Sequence, residues 1–281
     1  MRRHKKWSKY PFIFLLLIHS VLLAFSFYRS NDRKRLFVLL FSNIGMAYLF
    51  EYIVLNVFRG YRYKAFFIKN KELNNILGAI FSQAIFVPFT ALFITSMHWG
   101  WKAKCLFTLY FAAVETLFLR IGIYKQNWWR TIYTSIFLPI FFTLSDIWYE
   151  HLKRRTPFVM FTSLFLISMA TNVNMLFILA VNRKFKFGYG WFHSWREHFL
   201  LAPLYSIVVS LVSNFLLIYK HSISKVGNFI FRIALDTILV KRHLIKFKYK
   251  KFTCHLLYHA FMIFMGGIYK RMVYGGKACE K

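Results

Sequence analysis

Seven long apolar blocks decide what this chain can become. Residues 10–28, 36–58, 73–97, 105–124, 131–149, 157–181 and 199–219 each run for 19 to 25 mostly apolar positions. At about 1.5 Å of rise per residue, each block is long enough as a helix to cross a hydrocarbon core of about 30 Å. Helix is the required form, because unpaired backbone N–H and C=O groups are too costly in lipid. A membrane barrel would show segments of about ten residues with alternating polarity, and the sequence has none. Two further stretches are shorter or more polar. Residues 226–240 carry Arg232 and Asp236, four apart and so able to pair on one helix face. Residues 252–269 carry His255 and His259. Each either crosses the bilayer or lies in its interface.

The expectation is therefore an all-α, polytopic transmembrane helix bundle of about eight spans, within a range of seven to nine. It forms a single membrane-embedded domain over residues 1–281, with no linker, low-complexity tract or internal repeat apparent. The composition agrees: 58% hydrophobic, 17% charged, with a mean hydropathy of +0.44, outside the balance of soluble domains. The start, "MRRHKKWSKY" before an apolar run, has the charge pattern of a secretory signal. The length of the run and the spans that follow favour an uncleaved first span.

Basic residues set the orientation. With the N-terminus in the cytoplasm, the flanks and loops up to the seventh span place 16 Lys and Arg inside and 9 outside. A later cluster, Lys241, Arg242, Lys246, Lys248, Lys250 and Lys251, should also be cytoplasmic, which requires 226–240 to cross despite its fifteen residues. Length and charge conflict there. The net charge of +30 invites a nucleic-acid reading, but the basic residues alternate with spans, and the longest clear loop, 182–198, has 17 residues. Anionic lipid headgroups are the expected partner of such flanks, and nucleic acid is not. Trp7, Trp99, Trp101, Trp128, Trp129, Trp191 and Trp195 fall at predicted span ends as interface anchors. Cys105, Cys254 and Cys279 form no CxxC pair or disulfide framework, and Cys279 is misplaced for prenylation.

Function, if written anywhere, is written in intramembrane charge. Glu51 lies about two-thirds along the second block and Glu115 near the middle of the fourth; Asp146 closes the fifth. Glu115 should face neighbouring helices. Arg120 is five residues further on, roughly 140° around the helix, so it snorkels to the interface rather than pairing with Glu115. For Glu51 and Glu115 two roles stand side by side. They are either hydrogen-bonding glue between helices, with Asn43, Gln83, Asn172, Asn174 and Asn214, or handlers of a proton or cation. "HSWREH" (His193, His198) hints at a histidine box but lacks the companion boxes. "HLLYH" places His255 and His259 at two-ligand spacing, without HExxH's glutamate or an obvious third ligand. P-loop, GxSxG and GxGxxG motifs are missing. No catalytic residue, cofactor or metal is expected.

"YLFEYIVLNVFRGYRY" (Tyr48–Tyr63), then "NILGAIFSQ", then "ETLFLRIGIYKQNWWRTIYT" (Glu115–Thr134) together resemble a family of uncharacterised integral membrane proteins from spore-forming Gram-positive bacteria. The likeness covers about Tyr48–Glu150. It implies a multi-pass protein of the bacterial cell membrane and transfers no catalytic residue. The leading expectation is a non-enzymatic membrane protein with an envelope or sporulation role. The alternatives are a small transporter or ion pathway using Glu51 and Glu115, and a lipid-modifying enzyme using His193, His198 or His255 with His259.

The charge count makes a topological prediction. The N-terminus and the loop from Arg59 to Glu72 share the cytoplasmic side, so a cysteine placed after Tyr63 should resist membrane-impermeant labelling in intact cells. Labelling from outside reverses the orientation.

Overall fold

The computed structural model describes residues 9–183, 185–190, 193–219, 224–246 and 252–275. Trp7, Trp191, Lys248, Lys250, Lys251 and Cys279, together with the side chains of Lys246 and Cys254, lie outside the described residues. Among the described residues the chain forms helical rods α1 (Tyr10–Arg29), α2 (Arg33–Val57), α3 (Lys71–Ser96), α4 (Trp101–Arg120), α5 (Thr131–Lys153), α6 (Pro157–Val181), α7 (Trp195–Tyr219), α8 (Ser224–Lys241) and α9 (Phe252–Tyr274). Four short strands interrupt them: β1 (Tyr61–Tyr63), β2 (Tyr124–Gln126), β3 (Lys186–Phe187) and β4 (Ile245–Lys246). Six rods, α1, α2, α3, α5, α6 and α7, are long and apolar enough to cross a membrane. The other three, α4, α8 and α9, carry Glu115, Asp236, His255 and His259.

Local chemistry explains the ends. Asp32 caps α2 by accepting from Arg35 N–H at 3.0 Å, and Asn70 caps α3 by accepting from Glu72 and Leu73 N–H. Ser194 and Glu197 form a reciprocal capping box at the start of α7. The fourth apolar block behaves differently from expectation. Its helix runs from Trp101 to Arg120 and stops four residues before Tyr124. Gly122, at φ 74°, turns the chain in a region that favours glycine, and Tyr124 then enters β2. Trp129 is not an interface anchor either: it is buried among Phe50, Tyr61 and Phe137, while Trp128 is half exposed.

The chain divides into a first unit, Met1–Val159, and a second, Met160–Lys281. In the first, Phe12 and Leu15 of α1 pack with Tyr61, Phe118, Tyr124 and Trp129. In the second, Leu176, Phe185, Phe187, Tyr205, Ile245 and Tyr258 form the core. Burying an apolar side chain of this size away from water contributes about 1.5–3 kcal/mol; between lipid and protein, packing takes over that role.

Both units repeat one plan, which sequence inspection does not reveal. After α1 the order helix–strand–helix–helix–strand–helix occurs twice, as α2-β1-α3-α4-β2-α5 and as α6-β3-α7-α8-β4-α9. Each unit pairs its two strands antiparallel, Tyr63 opposite Tyr124 and Phe187 opposite Ile245. The next bond matches too, with Lys64 N–H donating to Ile123 C=O at 2.8 Å and Gly188 N–H to Leu244 C=O at 3.0 Å. Arg59 and Arg183, each four residues before Tyr63 or Phe187, share φ values of 51° and 53°. Gly122 and His243, each two residues before the partner strand, have φ values of 74° and 55°. In this register "RGYRY" (59–63) aligns with "RKFKF" (183–187), and "ETLFLR" (115–120) with "DTILVK" (236–241). Glu115 and Asp236 thus occupy one position of the repeat, Thr134 and His255 another, Leu138 and His259 a third. The threonine after each acid closes the same bond, Thr116 to Ala112 C=O and Thr237 to Ile233 C=O.

Gly78 marks where α3 passes β1. A Cβ there would lie 2.4 Å from Tyr63 Cβ and 2.8 Å from its Cγ, atoms too close to the backbone to swing away. Gly78→Ala should lower stability by roughly 1–3 kcal/mol, the usual cost of overpacking. Gly100→Ala, in open space, serves as the control. Equal melting of the two variants in detergent would contradict the close approach.

Candidate functional site

The first unit holds both acids of the sequence reading, Glu115 on the wall of a cavity and Glu51 bonded to two residues, Tyr61 and Gln83, that line it. Glu51, 6% exposed, lies where α2 passes into a π-helical segment, Tyr52–Val57. Gln83 lies within a second π segment, Phe81–Phe86 of α3. Such segments widen a helix by one residue and recur at functional sites. Gln83 Nε2 donates to Glu51 Oε2 at 3.1 Å, and Tyr61 Oη donates to the same oxygen. Glu51 Oε1 is buried without a hydrogen-bond partner among the described residues. Burial above all, with Glu51 next, pushes the Tyr61 and Tyr63 phenols well above their ordinary range; burial raises Tyr124 likewise. All three remain protonated, so Tyr61 serves as a donor.

Glu115 is half buried, and the α4–α5 connection holds it. Gln126 Nε2 donates to Oε1 at 2.7 Å, Thr131 Oγ1 to Oε1 at 3.1 Å, and Thr134 Oγ1 to Oε2 at 2.6 Å. Glu115 lines a cavity of about 290 Å³ whose walls include Phe50, Tyr61, Tyr63, Gln83, Tyr124 and Trp129. Sequence reasoning marked Glu51, Glu115 and Gln83. Tyr61, Gln126, Thr131 and Thr134 escaped it, because their role depends on β1 pairing with β2 and on the turn into α5.

The remaining candidates lie elsewhere. Arg120 is exposed at the end of α4, as its snorkelling position implies. Asp146 is a member of an ion pair: Lys104 Nζ lies 2.6 Å away and Thr95 Oγ1 donates at 2.6 Å. His193 and His198 do not converge. His193 sits against backbone carbonyls of Gly190 and His243, and His198 Nδ1 accepts from Phe187 N–H at 3.1 Å. The repeat explains this bond, because Asn75 accepts from Tyr63 N–H in the same way.

In the second unit the expected Arg232–Asp236 pair does not form. Arg232 turns to Asn228 Oδ1 and Ser213 Oγ, and Asp236 instead meets three residues of other helices. Tyr205 Oη of α7 donates to Oδ1 at 2.8 Å. His255 and His259 Nε2 of α9 both meet Oδ2, the latter at 2.7 Å. Spacing within α9 could not supply this third group, since it comes from α8. Comparison with family models, curated proteins and solved structures finds no match for this chain, so its own geometry carries the functional reading.

Glu51 gives the first site a direct test. Glu51→Gln keeps an acceptor for Tyr61 and Gln83, whereas Glu51→Leu strands both donors. The Gln variant should melt close to wild type and the Leu variant lower by roughly 1–3 kcal/mol, the cost of buried unsatisfied donors. If both variants melt alike, the hydrogen bonds to Glu51 contribute nothing.

Proposed function

We propose that this chain is a nine-span membrane carrier whose first unit binds a small lipophilic cation, such as a protonated amine or quaternary ammonium. The carrying observation is a pairing pattern. Asp32, Glu72, Asp146 and Glu150 each pair with an Arg or Lys. Glu51 and Glu115 have neutral donors and no ion pair among the described residues, in a chain with 39 Lys and Arg. At Glu115 neutral donors hold the carboxyl group, and no cationic side chain among the described residues occupies it. The rings of Tyr61, Tyr63, Tyr124 and Trp129 add negative faces, which attract a cation at about 0.5–2 kcal/mol each. Phe137 and Ile140 line the cavity and are 44% and 57% exposed on α5. The cavity therefore reaches a face that lipid would cover, and an amphipathic ligand could enter sideways. At about 290 Å³ it suits a ligand at the small end of the usual range.

The strand pairs support the span count. Because β1 and β2 are hydrogen-bonded they share one side of the membrane, so if α3 crosses, α4 returns. The same holds for α7 and α8 through β3 and β4, and α9 repeats α5. This topology would put Lys241 and Arg242 on the side of the β3 loop, as their charge favours. Tandem repeats are also a common way of building carriers. The resemblance over Tyr48–Glu150 supports a home in the plasma membrane of a spore-forming Gram-positive bacterium, with basic loops on anionic lipid.

Trp129 provides the test. Tetramethylammonium and short alkylamines, titrated into purified protein, should quench its fluorescence saturably. Glu115→Gln should weaken binding at least tenfold, the equivalent of about 1.4 kcal/mol, while remaining folded by circular dichroism. Unsaturable quenching, or equal affinity in Glu115→Gln, rules the cation site out.

A further inference from the structure

We infer that Asp236, His255 and His259 form a binding site for a divalent first-row transition metal, with zinc as the reference ion; this stands independently of the cation reading of the first unit. Oδ2 of Asp236 and Nε2 of both histidines all lie within 4.8 Å of one another, and all three residues are buried. The two Nε2 atoms are only 3.0 Å apart. As hydrogen-bond donors, both rings would aim their N–H groups at one oxygen, side by side. A cation at that point of convergence replaces the two protons and meets three lone pairs instead. Two imidazole nitrogens and a carboxylate oxygen are the donor set of open zinc and non-haem iron sites. A tetrahedral ion with bonds of about 2.0–2.1 Å needs ligand atoms roughly 3.3 Å apart, so the two imidazoles open by roughly 0.3 Å, His259 and Asp236 by roughly 0.6 Å, and His255 and Asp236 by more.

Two further observations point to a built site. Tyr205 donates to Oδ1 at 2.8 Å, which fixes the carboxylate and leaves Oδ2 for the ion, as outer partners of metal ligands do. The repeat supplies the other. At the repeat positions of Thr134, which donates to Glu115, and of Leu138, the second unit has His255 and His259, both meeting Asp236. A hydroxyl and an apolar side chain are thus both exchanged for imidazole opposite a retained acid. Glue between helices needs one donor; two imidazoles on one oxygen make a ligand set. Three protein ligands leave a fourth position open.

The experiment uses the full chain in detergent, stripped with chelator and then equilibrated with Zn²⁺ or Co²⁺ and desalted. Wild type should retain one equivalent of zinc, and the cobalt form should show the visible absorption of a low-coordinate N/O site. Asp236→Asn and His255→Ala should lose the ion, and His193→Ala should keep it. Tyr205→Phe, which retains all three ligands, should weaken zinc about tenfold or more. Should a variant fail to fold, as judged by circular dichroism, the wild-type stoichiometry and cobalt spectrum decide alone. No retained ion in wild type, or equal retention in folded Asp236→Asn, overturns the site and leaves a histidine–aspartate hydrogen-bond network.

Discussion

A carboxyl group on a largely apolar helix cannot be left bare when it is packed against its neighbours, and each unit of this protein is arranged around that constraint. Placing an acid at the bilayer centre costs about 2.5–3.5 kcal/mol on insertion scales. The cost falls when polar groups of neighbouring helices meet it. In the first unit Thr134 and Thr131 of α5, with Gln126 of β2, meet Glu115. In the second, His255 and His259 of α9, with Tyr205 of α7, meet Asp236. Each meeting depends on the strand pair, which turns the chain between the acid-bearing helix and the helix that answers it.

One plan used twice has diverged in chemistry while keeping its frame. The strands, the left-handed residues at their ends and the Glu-Thr or Asp-Thr start of the shared segment persist. The first unit has added Glu51, Gln83 and two π segments, whereas α6 and α7 of the second run as uninterrupted α-helix. A widened helix turn re-aims a side chain, and here both π segments deliver polar groups to one another. The second unit has instead replaced neutral partners of its acid with imidazole.

Much of the frame was legible in the sequence. The apolar blocks located seven rods to within a few residues, because span length follows from rise per residue and bilayer thickness. The end of the fourth was misplaced, because Gly122 and a three-residue strand leave little trace among Tyr and Ile. The repeat was hidden for a related reason. Alternating basic and aromatic residues in "RGYRY" and "RKFKF" resemble interface anchors, and "ETLFLR" and "DTILVK" share their pattern more than their letters. Glu51 and Glu115 stood out because acids are rare here. Of their partners only Gln83 did, since Tyr61 lies beyond the span and Thr134 on another helix. Asp236 was matched with Arg232 on spacing alone, while packing sends each to a different helix.

In each repeat the acid is met by a side chain on the last helix of that repeat, Thr134 for Glu115 and the two histidines for Asp236. A double-mutant cycle between Glu115 and Thr134, with each replaced singly and together by Ala and stability followed in a single detergent, tests this most directly. Interhelical hydrogen bonds measured this way in membranes average about 0.6 kcal/mol and reach about 1.7, and a bond of 2.6 Å belongs toward the upper end. We expect a coupling of about 1 kcal/mol or more. Costs that simply add, to within the roughly 0.3–0.5 kcal/mol seen for independent sites, would contradict the claim.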